Sequence, residues 1–223
     1  MLRHGWGSWL WYEMAYCINM AVYTLGFSFR WEGGRNVPSQ GPALLVANHE
    51  SFLDPVAIGL AARRHICYLA RKTLFGNPFF GAFLRSVNVV PVDQEGVAKE
   101  GLRTVLDLLQ ANQAVLVFPE GERTLTGEIN PLRPGVHLLI KRSQVPIVPV
   151  GIAGTFEAFP RNRVLPKLSP LFLPATGAGV AVSIDRPIDP ARYRDASREQ
   201  VLNDLFQQVQ HVQHRAERLR RKV

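Results

Sequence analysis

Acidic side chains are scarce in this sequence. Its 223 residues hold 18 Asp and Glu against 26 Lys and Arg, for a formal net charge of +8. That balance points to polyanionic partners: nucleic acid, an anionic membrane surface or phosphorylated substrates. Cysteine is nearly absent. Cys17 and Cys67 are the only two, they differ in context, and neither has a C-x-x-C neighbour. A disulfide framework is excluded, and structural thiols in a reduced compartment are expected. The histidines at 4, 49, 65, 137, 211 and 214 include no i, i+4 pair with a carboxylate between them, so no metal site is expected. His211 and His214 read as surface residues of a helix. A recognition helix, zinc spacing and aromatic stacking motif are all missing, which removes nucleic acid from the expected partners. There is no internal repeat or low-complexity tract. A long apolar run is missing too. Met14 to Phe29, the uncharged part of the N-terminal segment, would span about 24 Å as a helix, against a hydrocarbon core of roughly 30 Å.

Apolar residues make up 47% of the chain and charged ones 20%, enough for one globular domain with a sizeable core. The segment 1–31 is rich in Trp, Tyr, Phe, Met and Leu. Trp6, Trp9, Trp11 and Tyr12 gather at one end, as residues at a headgroup boundary do. Membrane contact by this segment is the expectation, and packing on the protein's own core is the alternative. Trp31 to Gln40 reads as a connecting loop. Thereafter apolar strands alternate with helices. Ala43–Val46, Ile66–Ala70, Val87–Val92, Ala114–Phe118, Ile147–Val150 and Val180–Ile184 read as strands. Pro55–Arg63, Phe75–Arg85, Gly96–Ala111 and Pro134–Arg142 read as helices. The pattern predicts an α/β layered domain with a mostly parallel mixed sheet flanked by helices. Residues 197–223 read as an amphipathic helix opened by a Ser197/Gln200 capping box. Its basic end is expected to be solvated or, alternatively, to touch anionic lipid.

Two polar stretches follow apolar strands. In the first, Asn48-His49-Glu50-Ser51-Phe52-Leu53-Asp54-Pro55, a histidine leaves a strand end and a carboxylate opens a helix five residues on. Across a loop the two can meet. A carboxylate on one imidazole nitrogen fixes the tautomer and leaves the other free as a base. The plainer alternative makes Asp54 an N-cap, with Pro55 at the first helical position, and His49 a loop residue. Ser51 raises a serine nucleophile, but no G-x-S-x-G elbow surrounds it. In the second stretch, Phe118-Pro119-Glu120-Gly121-Glu122-Arg123-Thr124, a glycine lets backbone N–H groups approach a phosphate and an Arg can clamp one. An ordinary turn is the alternative.

Taken together, and with the Val145–Gly151 run of the Val-Pro-Ile-Val-Pro-Val kind, these motifs resemble the glycerolipid acyltransferase family, best known for the 1-acylglycerol-3-phosphate acyltransferases. The resemblance covers residues 40–190 and implies a catalytic domain there. It implies His49 as general base and Asp54 as its helper, without a covalent enzyme intermediate. It assigns Gly121 and Arg123, with Glu120 nearby, to the glycerol phosphate. The family's second motif usually ends in Asp-Arg, where this chain has Asp93-Gln94, so Lys72, Arg71 or Lys99 is expected to supply the missing charge, Lys72 first. Glu120 is expected to bond a hydroxyl or the motif's own backbone. The implied partners are a lysophospholipid acceptor, an acyl-CoA or acyl-carrier thioester donor and the anionic cytoplasmic face of a membrane, with no cofactor. A lyso-aminolipid acceptor and a non-enzymatic lipid-binding protein are the alternatives.

Overall fold

The computed structural model describes residues 6–92 and 98–222, and side chains within 10–92 and 100–222. Helix α1 (Trp6–Phe27) leads into strand β1 (Arg30–Glu32), β2 (Ala43–Ala47) and helix α2 (Asp54–Ala62). Next come β3 (Tyr68–Arg71), α3 (Pro78–Ser86), β4 (Val89–Val92), α4 (Ala98–Gln110) and β5 (Ala114–Val117). The chain continues through α5 (Gly135–Ser143), β6 (Ile147–Ala153), the single turn α6 (Thr155–Ala158), β7 (Ala181–Ile184) and α7 (Arg198–Leu219). The main sheet runs β1-β7-β6-β2-β5, with only the β6/β7 pair antiparallel. A parallel β3/β4 pair joins it through a bridge from Cys67 to Val115. The expected mostly parallel mixed sheet is therefore present.

Strand β2 lies at the centre because all five of its residues are apolar and buried. Successive side chains of a strand point to opposite faces. Ala43, Leu45 and Ala47 join a core with Tyr23 and Phe27 of α1 and Ile58 of α2. Leu44 and Val46 join a second core with Val105 of α4, Ile140 of α5 and Leu205 of α7. Two hydrophobic layers thus sandwich one sheet, and the polar loop leaving β2 emerges between them. Helix α7 begins with the expected capping box between Ser197 and Gln200. It lies on β6 so closely that a Cβ at Gly151 would sit 2.2 Å from the backbone of Val212 and Gln213.

Several expectations need correction. Trp31–Gln40 is not only a loop. Its start belongs to β1, which pairs in parallel with β7, and a 3-10 turn follows at Gly34–Asn36. Three residues with an exposed pair are too short to show a period, so β1 was illegible. The sheet therefore begins before residue 40. Pro78 starts α3 rather than interrupting it, with the Asn77 side chain capping Phe79 and Phe80 N–H. On α3, Phe79 is 87% exposed, and Phe80 and Phe83 are also exposed.

Helix α1 bears out the own-core alternative for the N-terminal segment on one face and leaves another face exposed. Tyr16, Met20, Tyr23 and Phe27 pack on the protein's own core, while Leu10, Met14, Ile18, Val22 and Leu25 form an exposed stripe. Among the described residues, no helix is long and apolar enough to cross a membrane. The side chains of Trp6 and Trp9 lie outside the described set.

The basic end of α7 is neither solvated nor free for lipid at Arg220 and Arg221. Arg220 pairs with Glu157 and Glu217 at 2.7 and 2.6 Å. Arg221 donates to the Leu171 and Leu173 carbonyls at 2.8 and 2.7 Å and to Ser28 Oγ at 3.2 Å. Arg221 staples the segment after α6 to the C-terminal end of α1, and Arg220 ties the end of α7 to Glu157 of α6.

Gly151→Ala should destabilise the protein by about 2 kcal/mol or more, because the methyl meets helix backbone that cannot rotate away. Urea unfolding measures it; an unchanged midpoint would contradict the close β6/α7 contact.

Candidate active site

The first motif begins where β2 ends. Asn48 continues the sheet with its side chain: Nδ2 donates to the Ile152 carbonyl and Oδ1 accepts from the Ile152 N–H, each at 2.9 Å. The next residue, His49, is aimed by contacts on every side. Its ring stacks on Phe118 at 3.9 Å between centroids, 14° from parallel. Its N–H donates to Glu120 Oε1 at 2.7 Å, and its carbonyl accepts from Thr124 N–H at 2.9 Å.

His49 Nδ1 lies 2.7 Å from Asp54 Oδ2. That same oxygen accepts the N–H groups of Glu50 and Ser51 at 2.6 and 2.7 Å. An oxygen taking two backbone donors is an acceptor, so the proton between the rings' partners resides on Nδ1 and Nε2 keeps its lone pair. Asp54 is fully buried. It is the first residue of α2, with Leu53 at the N-cap, rather than the cap itself. Its carboxylate turns back into the loop, so the plain capping alternative fails.

Two more buried carboxylates brace the loop. Glu50 Oε2 accepts from Thr155 Oγ1 and Phe156 N–H at 3.0 and 3.1 Å. Burial, and then the charge of Asp54, push its carboxyl well above the usual range. Glu120 was expected at the substrate. It instead gives Oε1 to His49 N–H and Oε2 to Asn130 N–H, both at 2.7 Å. Burial raises its carboxyl as well, against the pull of those two donors. With both oxygens engaged by backbone from outside its own motif, Glu120 positions His49. Sequence alone could not find the His49 link, since it joins positions 71 residues apart.

Gly121 also departs from expectation. Its N–H donates to the Phe118 carbonyl at 3.0 Å, closing a turn rather than offering itself to a phosphate. It sits at φ +79°, and a Cβ there would lie 2.4 Å from Arg133 Nε. Arg133, which the sequence did not single out, donates to the Glu120 carbonyl at 2.9 Å and so locks the turn. Arg123 reaches the first motif loop through Phe52. Its guanidinium lies 3.5 Å over the Phe52 ring, and its Nη1 is buried without a hydrogen-bond partner among the described residues. Burial is the main cause lowering its pKa, followed by Arg161. Lys72 pairs with Glu100 at 3.2 Å, and Arg71 is among the charges that act on Arg123. Asp93, Gln94 and the Lys99 side chain lie outside the described residues.

Ser51 is not a nucleophile. It is fully buried, and its hydroxyl donates to the Phe159 carbonyl at 2.7 Å. What remains is one imidazole with a fixed tautomer, on a loop whose Phe52 carries the Arg123 guanidinium.

Known proteins share this arrangement's sequence and fold. The chain is 30% identical over 120 residues to the 1-acyl-sn-glycerol-3-phosphate acyltransferase of Bacillus subtilis, covering 53% of this chain and 59% of that protein. It is 30% identical over 124 residues to the enzyme of that name from Helicobacter pylori, covering 53% and 52%. The chain thus spans little more than half the length of these relatives. The crystal structure of the 1-acyl-sn-glycerophosphate acyltransferase PlsC from Thermotoga maritima superposes with a TM-score of 0.71 at 22% identity, over 93% of this chain and 79% of that one. The sequence profile described as Acyltransferase matches residues 28–153, from just before β1 to the end of β6, so the strand end with its His49–Asp54 pair and the Glu120 turn all fall inside it, and the chain belongs to the Acyltransferase family.

Proposed function

We propose that the protein transfers a fatty acyl group from a thioester, carried on CoA or acyl carrier protein, to the free hydroxyl of 1-acylglycerol 3-phosphate in phospholipid synthesis. The observation that carries this reading is the 2.7 Å contact of His49 Nδ1 with an oxygen already accepting two N–H donors. Nε2 then takes the proton as the acceptor hydroxyl attacks the thioester carbonyl. A C–O bond forms, the tetrahedral adduct collapses, and the C–S bond breaks. The departing thiolate leaves with the proton that His49 held. Proton, nucleophile and leaving group are all supplied by His49 and the two substrates, so the reaction as written calls for no cofactor. Arg123 and its neighbouring cations hold the acceptor phosphate. A lyso-aminolipid acceptor is the second reading, carried by Gln94 in place of the Arg that the resemblance expects. A non-enzymatic lipid binder is disfavoured by the His49–Asp54 pair, which binding alone does not require.

The acceptor is a lipid, and the surface is shaped to meet one. The Leu10–Leu25 stripe of α1 is exposed, and so are Phe79, Phe80 and Phe83 of α3. Trp11 Nε1 bonds Ser86 Oγ at 3.0 Å, which ties α3 to α1. On the other side, Phe172 is 83% exposed in a segment whose Leu171 N–H donates to the Leu25 carbonyl. So large an apolar face suits an interfacial contact with a bilayer. The net charge of +8 favours an anionic leaflet, and we place the protein at the cytoplasmic face.

Thiol release from oleoyl-CoA should require 1-acylglycerol 3-phosphate and fall by about two or more orders of magnitude in His49→Ala. Release without an acceptor would mark a thioesterase instead. Glu120→Gln should lower kcat by about tenfold or more with little change in acceptor KM, because a buried charged contact to the His49 backbone is weakened. A rise in KM alone would return Glu120 to the substrate. The double variant Ile18→Glu, Val22→Glu should fold normally yet no longer sediment with anionic phosphatidylglycerol vesicles. Undiminished sedimentation would remove the α1 stripe from the membrane contact.

A further inference from the structure

Arg161 lies in the turn that follows α6, beyond both motifs, and nothing in the sequence marks it. The structure ties that turn to the catalytic loop. Ser51 Oγ donates to the Phe159 carbonyl at 2.7 Å, and the Phe52 and Phe159 rings lie 6.5 Å apart. Arg163 N–H closes the turn onto the Pro160 carbonyl at 3.1 Å, and Lys167 N–H returns to the Ala158 carbonyl at 2.7 Å. Arg161 is thereby carried on a braced segment against the loop that holds His49.

Its neighbour across the gap is Arg123. That guanidinium rests on Phe52, with a buried donor, Nη1, that has no hydrogen-bond partner among the described residues. A buried N–H left unpaired is costly, and the usual remedy is a ligand or water. Glu122, adjacent to Arg123 in the chain, lies 3.6 Å from Arg161, and after burial the positive charge of Arg161 is the next cause lowering the Arg123 guanidinium. Two arginines held together gain most from an anion between them.

One carboxylate now occupies part of that role. Glu122 Oε2 lies 3.6 Å from Arg161 Nη1, and its Oε1 lies 3.4 Å from Arg133 Nη2. Both contacts are longer than the 2.7–2.9 Å or so of a good charge-assisted hydrogen bond. Glu122 and Arg161 are both about half exposed, so the pairing is weak and exchangeable.

We infer that Arg161 and Arg123 together clamp the phosphate of the acceptor, and that Glu122 holds Arg161 at the site until the phosphate displaces it. The inference rests on the acyltransfer reading above and names how that site recognises its acceptor. The anion it takes is a phosphomonoester. A bidentate guanidinium presents two parallel donors to such a group, and a lysine at the same place would not.

The test is steady-state kinetics of the full chain in mixed micelles, with both substrates varied, for the parent, Arg161→Gln, Arg161→Lys and Glu122→Gln. Arg161→Gln should raise KM for 1-acylglycerol 3-phosphate by about tenfold or more, the worth of one hydrogen bond to a charged group. KM for oleoyl-CoA should stay constant. Arg161→Lys should recover only part of the loss. Glu122→Gln frees the arginine and should lower acceptor KM, which keeps the inference testable even where the Arg161 variants fold poorly. A rise in donor KM alone would assign Arg161 to the CoA phosphates and overturn the inference. Unchanged acceptor KM in both Arg161→Gln and Glu122→Gln would overturn it while leaving the acyltransfer reading intact. An inactive parent would overturn the acyltransfer reading, and the inference with it.

Discussion

One buried oxygen sets the geometry of the site. Asp54 Oδ2 collects the N–H groups of Glu50 and Ser51 and the Nδ1 of His49. Without it, two backbone donors and an imidazole would be left in a space closed to water, each unsatisfied group costing about 1–3 kcal/mol. The loop therefore has one conformation in which these three donors are met together, although Asp54 Oδ1 keeps no hydrogen-bond partner among the described residues. That same conformation leaves Nε2 as the ring nitrogen not engaged by Asp54. Glu120 completes the arrangement from the second motif, because its carboxylate accepts the His49 N–H directly. His49 is thus held by its ring, by its backbone N–H and by its carbonyl, which Thr124 engages.

Helix α1 links this loop to the apolar surface. Tyr23 hydroxyl donates to the Leu53 carbonyl at 2.9 Å, inside the motif loop, and burial pushes that phenol upward in pKa. Tyr16 reaches the Leu60 carbonyl of α2 at 3.1 Å. The opposite face of the same helix carries the exposed stripe. A lipid that meets the stripe therefore lies on the far side of the helix that braces His49. Arg221 adds the third support by fixing the Pro170–Leu173 segment beside the end of α1.

The cations divide into structural and available ones, and sequence position is a poor guide to which is which. Arg133, Arg215, Arg220 and Arg221 hold backbone or carboxylates. Arg215, for instance, joins α7 to Glu32 of β1 at 2.7 Å and to Asp185 at 3.4 Å. Arg123, on Phe52, keeps an unpaired buried donor.

The alternation of buried strands and amphipathic helices was legible because hydrophobic period and turn residues act over a few neighbouring positions. So was the meeting of His49 with Asp54, since a five-residue strand-to-helix loop brings its own ends together. The capping box of α7 was local in the same way. β1 was not legible, because three residues owe their strand conformation to pairing with β7 far along the chain. Nor were the roles of Glu120 and Gly121: the partners that surround them, His49, Asn130 and Arg133, arrive from other elements. The two faces of α1 needed the fold as well, because an apolar helix with little amphipathic bias does not announce which side the core takes. Local chemistry in this chain determined which residues could catalyse. Burial, which only the tertiary structure settles, decided which of their polar atoms were left to do so.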